Sequence, residues 1–180
     1  VWSAGGRRRL RSGRGHQKHL NRSVEGIIGM ARLLIRGGRV VDPGQGIDRV
    51  DDVLVENGTV AAIGGGHAAE ETIDATGLIV CPGLVDMHVH LREPGREEDE
   101  TIATGARAAI AGGFTSIACI PNTEPPIDTQ ANVEFIHQKA ARADACNVFV
   151  VACVSRNREG KELAEIGQLV EAGAVAVAGL

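Results

Sequence analysis

The chain has 180 residues, of which 43% are hydrophobic and only 2% aromatic, and its formal net charge is −4. This length allows one ordinary domain, or a small domain and part of a larger one, with a core built from Val, Ile, Leu and Ala. The acidic balance gives no reason to expect nucleic-acid binding, and no apolar run approaches the roughly 20 residues that span a membrane.

The first 31 residues differ from the rest, because they hold six Arg and one Lys against a single Glu. They lack apolar periodicity, which predicts disorder. Such a composition also occurs in organelle transit peptides and nucleic-acid-binding arms, but the chain begins with Val. Its first methionine, Met30, directly precedes the first strand-like segment. We therefore interpret residues 1–31 as a disordered, non-native basic leader, with residues 1–29 translated from upstream of a start at Met30.

Residues 32–77 are predicted to form a small β-sandwich, the N-terminal part of a composite domain. Short apolar segments alternate here with glycine-rich breaks, and Asn57-Gly58 is a strong hairpin signal because both residues tolerate positive φ. About 45 residues are too few for a secure independent core. The predicted strands are Leu33–Arg36, Arg39–Val41, Asp52–Val55, Thr59–Ile63 and Thr72–Asp74.

Residues 78–180 alternate between strand-like and helix-like segments, which predicts a parallel α/β sheet. Periodicity alone does not decide between an open sheet and a barrel. The predicted strands are Leu78–Val85, Phe114–Ile120, Asn147–Val154 and Ala174–Ala178, and the predicted helices are Glu97–Ala111, Asp128 or Thr129 to Ala143, and Glu159–Ala172.

A polar cluster follows the first of these strands. In a β-strand, alternate side chains share a face, so Asp86, His88 and His90 are predicted to point one way and the intervening apolar residues the other. Two imidazoles on one strand face can bind a single divalent ion, and a nearby carboxylate can orient one of them. Arg92 is two residues after His90, so it would lie on the same face if the strand continued that far. The alternative is a buried strand whose histidines are bonded to neighbouring residues.

Two motifs carry a resemblance to a known family. The sequence His88-Val-His-Leu-Arg-Glu-Pro-Gly95, followed by Pro121-Asn-Thr-x-Pro-Pro-x-Asp128, resembles the dihydroorotases of the cyclic amidohydrolase superfamily. The resemblance extends from about Arg32 to about Val177. It implies the N-terminal part of a (β/α)8 metal-dependent hydrolase barrel, preceded by a small β-sandwich segment that a C-terminal segment completes. We expect residues 78–180 to be the first half of that barrel, and the chain to be a fragment.

The resemblance also implies a site. His88 and His90 are similar to the first two metal ligands, for one or two Zn²⁺ ions, and Arg92 and Asn122 to the substrate-binding pair. The family's later ligands and catalytic Asp have no counterpart here, so we expect no catalytic residue in this chain and no activity of the fragment alone. Taken without the resemblance, Arg92 could equally be a surface ion-pair residue and Asn122 a turn residue.

The implied function is interconversion of N-carbamoyl-L-aspartate and (S)-dihydroorotate in de novo UMP biosynthesis. The alternatives are an allantoinase or dihydropyrimidinase type of cyclic amidohydrolase, and a non-catalytic dihydroorotase-like subunit of aspartate transcarbamoylase. The expected partners are the small-molecule substrate, aspartate transcarbamoylase and further copies of the chain, with no nucleic acid or membrane.

Four cysteines at irregular spacing and the absence of a secretory signal predict reduced core thiols in a cytoplasmic protein. We expect His67 and His137 at the surface, and a structural role for Glu93.

Overall fold

The computed structural model of the chain describes residues 32–179, so the predicted basic leader lies outside the described residues. The chain divides into two compact units, one ending at Pro82 and the other beginning at Gly83. In the described part, the first unit contains only strands, whereas the second alternates strands with helices. Between residues 32 and 179, none of the helices has the length and apolar content needed to cross a membrane.

The first unit is a five-stranded mixed sheet. Strand β2 lies between β1 and β3 and is antiparallel to both, while β4 and β5 pair in parallel with β1. Apolar side chains on the sheet form a small core of Ile35, Val40, Val53 and Ala75. The strands are β1 (Arg32–Asp42), β2 (Ile47–Glu56), β3 (Thr59–Ile63), β4 (Glu71–Asp74) and β5 (Ile79–Val80).

Turn chemistry accounts for the shape of this sheet. Asn57 and Gly58 both have positive φ, at 49° and 75°, which confirms the predicted hairpin between β2 and β3. The two predicted strands around Gly37-Gly38 are one strand, because the β1–β2 ladder accommodates these residues as an irregularity between Ile35 and Gly38. Gly37 has a φ of 71°, and its N–H donates to Asp52 Oδ1 at 2.9 Å.

The second unit is a parallel sheet in the order β6-β7-β8-β9, which is also the order of the chain. This confirms the predicted α/β class with a parallel sheet. The elements are β6 (Leu84–Val89), α1 (Ile102–Ala111), β7 (Phe114–Cys119), α2 (Gln130–Ala143), β8 (Asn147–Cys153), a short 3₁₀ segment (Arg156–Arg158), α3 (Ile166–Glu171) and β9 (Ala174–Ala178).

The core of this unit lies between the sheet and its helices. Ile117 of β7, Val150 of β8, Ile102 of α1, Ile136 of α2 and Leu169 of α3 are all at most 1% exposed and belong to one cluster. On strand β6, by contrast, Val85 and Met87 are 62% and 79% exposed. Within the described residues, β6 therefore buries far less apolar surface than β7 and β8 do.

The predicted strand Leu78–Val85 is wrong in its bounds. It is interrupted after Val80, and β6 starts only at Leu84 and continues to Val89. Pro82 lies in the interruption and has no N–H to donate to a ladder. Beyond it, the N–H of Leu84 donates to the Gly113 carbonyl at 3.0 Å. The histidine motif therefore lies on the strand and at its end.

Helix α1 starts five residues later than predicted. Thr101 caps it, since its hydroxyl accepts the Thr104 N–H at 3.1 Å and the Thr104 hydroxyl accepts the Thr101 N–H at 2.9 Å. This reciprocal pair satisfies two N–H groups that a helix start leaves free. The acidic residues 97–100, predicted as the first turn, precede the helix. Helix α2 agrees with its prediction, with Thr129 as the cap.

Helix α3 is much shorter than the predicted Glu159–Ala172. Positive φ values at Asn157, Arg158 and Gly160 keep the preceding segment from continuing as an α-helix. Instead, Ser155 and Leu163 form a single antiparallel bridge. His137 also departs from its prediction as a surface residue. It is half-buried on α2, and its Nε2 is enclosed without a hydrogen-bond partner among residues 32–179.

Candidate active site

His88 and His90 lie at the carboxyl end of β6. Their rings meet edge to face with centroids 5.4 Å apart, and both residues are exposed. The His90 Nδ1 lies 3.0 Å from the Asn122 Oδ1. An amide oxygen can only accept, so Nδ1 carries the proton and donates. The lone pair of His90 is then on Nε2, where it is available to a ligand.

This geometry fits two ligands of one divalent ion. With Zn–N bonds of about 2.0–2.1 Å and a tetrahedral angle, two imidazoles on one ion have centroids roughly 5 Å apart. Among residues 32–179, however, no group of three or more His, Cys, Asp or Glu side chains is arranged to hold a metal ion. The described residues therefore offer a pair of candidate ligands and not a closed site.

Asp86 does not orient an imidazole. Its Oδ1 accepts the backbone N–H of His88 at 3.0 Å. The β6–β7 ladder is also irregular here, since Asp86 pairs with Ile117 and Val89 with Cys119, leaving an extra residue on β6. The shared face of Asp86 and the histidines therefore stays a prediction, because side-chain alternation is not regular at such an irregularity.

Arg92 lies just beyond the strand in an unusual turn. Its φ is +58°, and the N–H of Glu93 donates to the Leu91 carbonyl at 2.7 Å, so Arg92 is the central residue of a three-residue turn. A non-glycine residue with positive φ is uncommon and often marks a functional segment. Arg92 is half-buried as a residue, and its guanidinium has no hydrogen bond or ion pair to another residue within the described range 32–179.

The loop that carries Asn122 is docked against this turn. Glu124 donates its N–H to the Pro94 carbonyl at 3.0 Å, and Ile120 donates to the Val89 carbonyl at 3.1 Å. Gly95, with a φ of +105°, lies so close to Glu124 that an added Cβ would overlap its carbonyl oxygen. These contacts bring the end of β6 and the turn around Arg92 next to the loop that carries Asn122.

Glu93 is the residue that sequence reasoning undervalued. Only 4% of it is exposed, yet its Oε2 accepts the N–H of Ile102 at 2.9 Å, and its Oε1 lies 2.5 Å from the Lys139 Nζ. Glu93 thus has the predicted structural role, because it accepts a hydrogen bond at the start of α1 and forms an ion pair with Lys139. The acid that meets the positive end of the α1 dipole comes from this loop and not from residues 97–100. No sequence periodicity could have indicated the Lys139 contact, 46 positions away.

Two of the four cysteines, Cys119 and Cys153, are buried thiols. Burial raises the pKa of Cys119 to about 11, and burial with the nearby Asp128 carboxylate raises the pKa of Cys153 to about 11 as well. Both are neutral thiols at physiological pH, in agreement with the predicted core role. In the loop itself, the Gly95 N–H donates to the Glu97 carboxylate and lowers its pKa.

Known proteins resemble the chain in sequence and in structure. A family model described as dihydro-orotase-like matches residues 77–179. A dihydroorotase of Citrifermentans bemidjiense is 57% identical over 148 residues, and one of Trichlorobacter lovleyi is equally similar. Each match covers 81% of this chain and 35% of the relative, so the chain spans about a third of the length of these relatives.

Among solved structures, an L-hydantoinase (dihydropyrimidinase) of Arthrobacter aurescens has a TM-score of 0.66 at 28% identity. The match covers 81% of this chain and 32% of that one. A dihydroorotase structure has a TM-score of 0.52 at 19% identity, covering 82% and 42%, which supports the fold alone. Since the family model matches more than half of the residues, the chain belongs to the dihydro-orotase-like family.

Proposed function

We propose that this chain supplies the first two metal ligands and the substrate-carboxylate site of a dihydroorotase, which interconverts N-carbamoyl-L-aspartate and (S)-dihydroorotate in UMP biosynthesis. The observation that carries the proposal is the contact between His90 and Asn122, which joins a metal-ligand candidate to a substrate-binding candidate across two loops. A relative that is 57% identical to the chain bears the name dihydroorotase.

The proposed ligands are His88 and His90, for Zn²⁺, with one or two ions in a complete site. A divalent metal bound there would polarise the amide carbonyl and lower the pKa of a water molecule. His90 serves this role in the tautomer that Asn122 selects, with Nε2 unprotonated. The remaining ligands and the catalytic acid–base group would come from parts of the protein other than residues 32–179.

Arg92 and Asn122 are the proposed substrate-binding residues. A guanidinium without a protein partner can bind a substrate carboxylate through two parallel hydrogen bonds. The Asn122 oxygen is engaged with His90, but its Nδ2 makes no hydrogen bond within residues 32–179 and could donate to the same carboxylate. A substrate carboxylate bound there would lie beside the metal ligands.

A second candidate is a hydantoinase or dihydropyrimidinase activity, because several solved structures that resemble the chain carry those names. Substrates of such enzymes need no carboxylate, so an Arg92 guanidinium that has no ion-pair partner among residues 32–179 favours the dihydroorotase. We also propose that the protein is cytoplasmic, forms homo-oligomers and associates with aspartate transcarbamoylase. These three proposals are supported by the resemblance to dihydroorotases. Sedimentation with and without aspartate transcarbamoylase would test the oligomeric state and the association. Residues 32–77 and 78–180 are the proposed β-sandwich and half-barrel segments.

The test uses a chimera in which residues 32–179 replace the matching segment of the Citrifermentans bemidjiense dihydroorotase. His88→Ala should lower bound metal and abolish turnover together. Arg92→Lys should keep the metal and lower kcat/KM for dihydroorotate about tenfold to a hundredfold, because one charge-assisted hydrogen bond is worth about 1.5–3 kcal/mol. Asn122→Ala should resemble Arg92→Lys.

His67→Ala, in the first unit, is the control and should change neither metal content nor rate. Loss of metal in Arg92→Lys would contradict the division of roles. If the chimera binds metal and hydrolyses dihydrouracil but not dihydroorotate, the second candidate is correct.

A further inference from the structure

The buried carboxylate of Glu93 has two partners that belong to different helices. Its Oε2 accepts the N–H of Ile102, the first residue of α1, and its Oε1 is paired with Lys139 in the third turn of α2. The Lys139 ammonium also lies 5.3 Å from the centroid of the Phe135 ring. Glu93 is thus held from two sides, in contrast to the acids 97–100 that follow it.

The residue before Glu93 has a backbone conformation that non-glycine residues seldom adopt. Arg92 has a φ of +58°, a region that an L-residue keeps only where its surroundings hold it. Both neighbours of Arg92 are buried. Leu91 is 3% exposed and packs in the core cluster, and Glu93 is 4% exposed. The turn around Arg92 is therefore anchored by an apolar side chain before it and a charged one after it.

Lys139 extends this anchoring to the second loop. Helix α2 begins eight residues after Asn122, and the intervening loop is tied to it by the side-chain N–H of Asn132, which donates to the Pro126 carbonyl at 2.7 Å. The ion pair between Glu93 and Lys139 therefore joins the helix that supports Asn122 to the turn that presents Arg92.

We propose that Glu93 and Lys139 are a positioning pair, which holds the Arg92 guanidinium in the orientation that binds the substrate carboxylate. The proposal rests on the proposed function, because it needs Arg92 to be the carboxylate-binding residue. A neutral side chain at position 93 could still accept the Ile102 N–H, but it would lose the charged partner on α2. The turn would then relax toward negative φ and move the guanidinium.

The kinetic test is a double-mutant cycle in the chimera. Glu93→Gln should lower kcat/KM for dihydroorotate about tenfold when Arg92 is present, mostly through KM, with the metal content unchanged. In the Arg92→Lys background the same substitution should cost less than about twofold, because the group it positions is absent. Equal losses in both backgrounds would mean that Glu93 acts on overall stability, which would overturn the proposal.

A second measurement needs no turnover. The N–H of residue 93 donates within the turn, so its hydrogen-exchange rate reports whether the turn is intact. We expect a rise of at least about tenfold in Glu93→Ala and in Lys139→Met, and a smaller rise in Glu93→Gln, which keeps an acceptor. The exposed acid Glu98 gives the matched control, Glu98→Gln, which should exchange like the parent.

The two measurements separate the proposals. An inactive chimera whose turn loosens as expected would contradict the dihydroorotase function and leave the anchoring role intact. An active chimera in which exchange at residue 93 is unaffected by Glu93→Ala would contradict the positioning pair alone.

Discussion

Replacing Gly95 by Ala tests whether the two loops of the site depend on their close approach. Two penalties arise at this position. First, the φ of +105° is strained for any residue that has a side chain. Second, an added Cβ would overlap the Glu124 carbonyl oxygen and lie 2.6 Å from the Glu124 Cβ. Backbone strain of about 1–3 kcal/mol and overpacking of about 1–3 kcal/mol together give roughly 2–6 kcal/mol.

The chain offers a matched control for the backbone penalty. Gly160, in the same unit, has a φ of +69°, and a Cβ added there would meet no atom within 4 Å, so Gly160→Ala should cost only about 1–2 kcal/mol. In Gly95→Ala the overlap can be relieved by separating the loops at the hydrogen bond from Glu124 to Pro94. A displacement of about 1 Å at an active site can cost about a hundredfold in rate.

The assay is urea unfolding of the two variants in the chimera, together with kcat/KM for dihydroorotate. We expect Gly95→Ala to lose more stability than Gly160→Ala and about a hundredfold in kcat/KM, against less than about threefold for the control. If Gly95→Ala and Gly160→Ala lose equal stability and equal kcat/KM, the overlap at Gly95 adds no cost. That result would refute the reasoning that the site depends on the close approach of its two loops.

Other predictions concern the core and the thiols. Ile136→Ala, at a fully buried position, should lower the free energy of unfolding by about 2–5 kcal/mol in urea titration, whereas Ile110→Ala, at a residue 44% exposed, should change it by less than about 1 kcal/mol. At pH 8, iodoacetamide should modify the partly exposed Cys81 well before the buried Cys119, as peptide mass spectrometry can establish; the reverse order would contradict the assigned burial. Burial raises the pKa of Cys119 from 9.0 to about 11. The contribution of the Cys119 thiol to the free energy of unfolding should therefore be complete below pH 9 and decline as the pH rises toward 11. Cys119→Ser should flatten that part of the curve of stability against pH.

Several elements could be predicted from the sequence because their signals are local. The Asn57-Gly58 hairpin and the Thr129 cap of α2 depend on residues within one turn, and both agree with the structure. The start of α1 could not be placed in this way. Acids 97–100 are typical of a first helical turn, but the Thr101–Thr104 capping box and the carboxylate of Glu93 determine where the helix begins.

The candidate site was predictable in its residue types and less so in its geometry. The two motifs identified His88, His90, Arg92 and Asn122 as candidate site residues, and the structure places His90 in contact with Asn122. The ladder irregularity after Asp86 could not be predicted, because it depends on the partner strand as well as on the residues of β6. The assigned roles of these residues stay predictions.

The coincidence of strand order and chain order in the second unit has a consequence for synthesis on the ribosome. Ladder partners are 24–31 positions apart along the chain, so each pairing closes only a short loop. Each new strand can dock on the one before it as soon as its helix has emerged, and the loop after β7 can settle on Pro94 at that stage. The contact between His90 and Asn122 can then form before strand β8 has been synthesised.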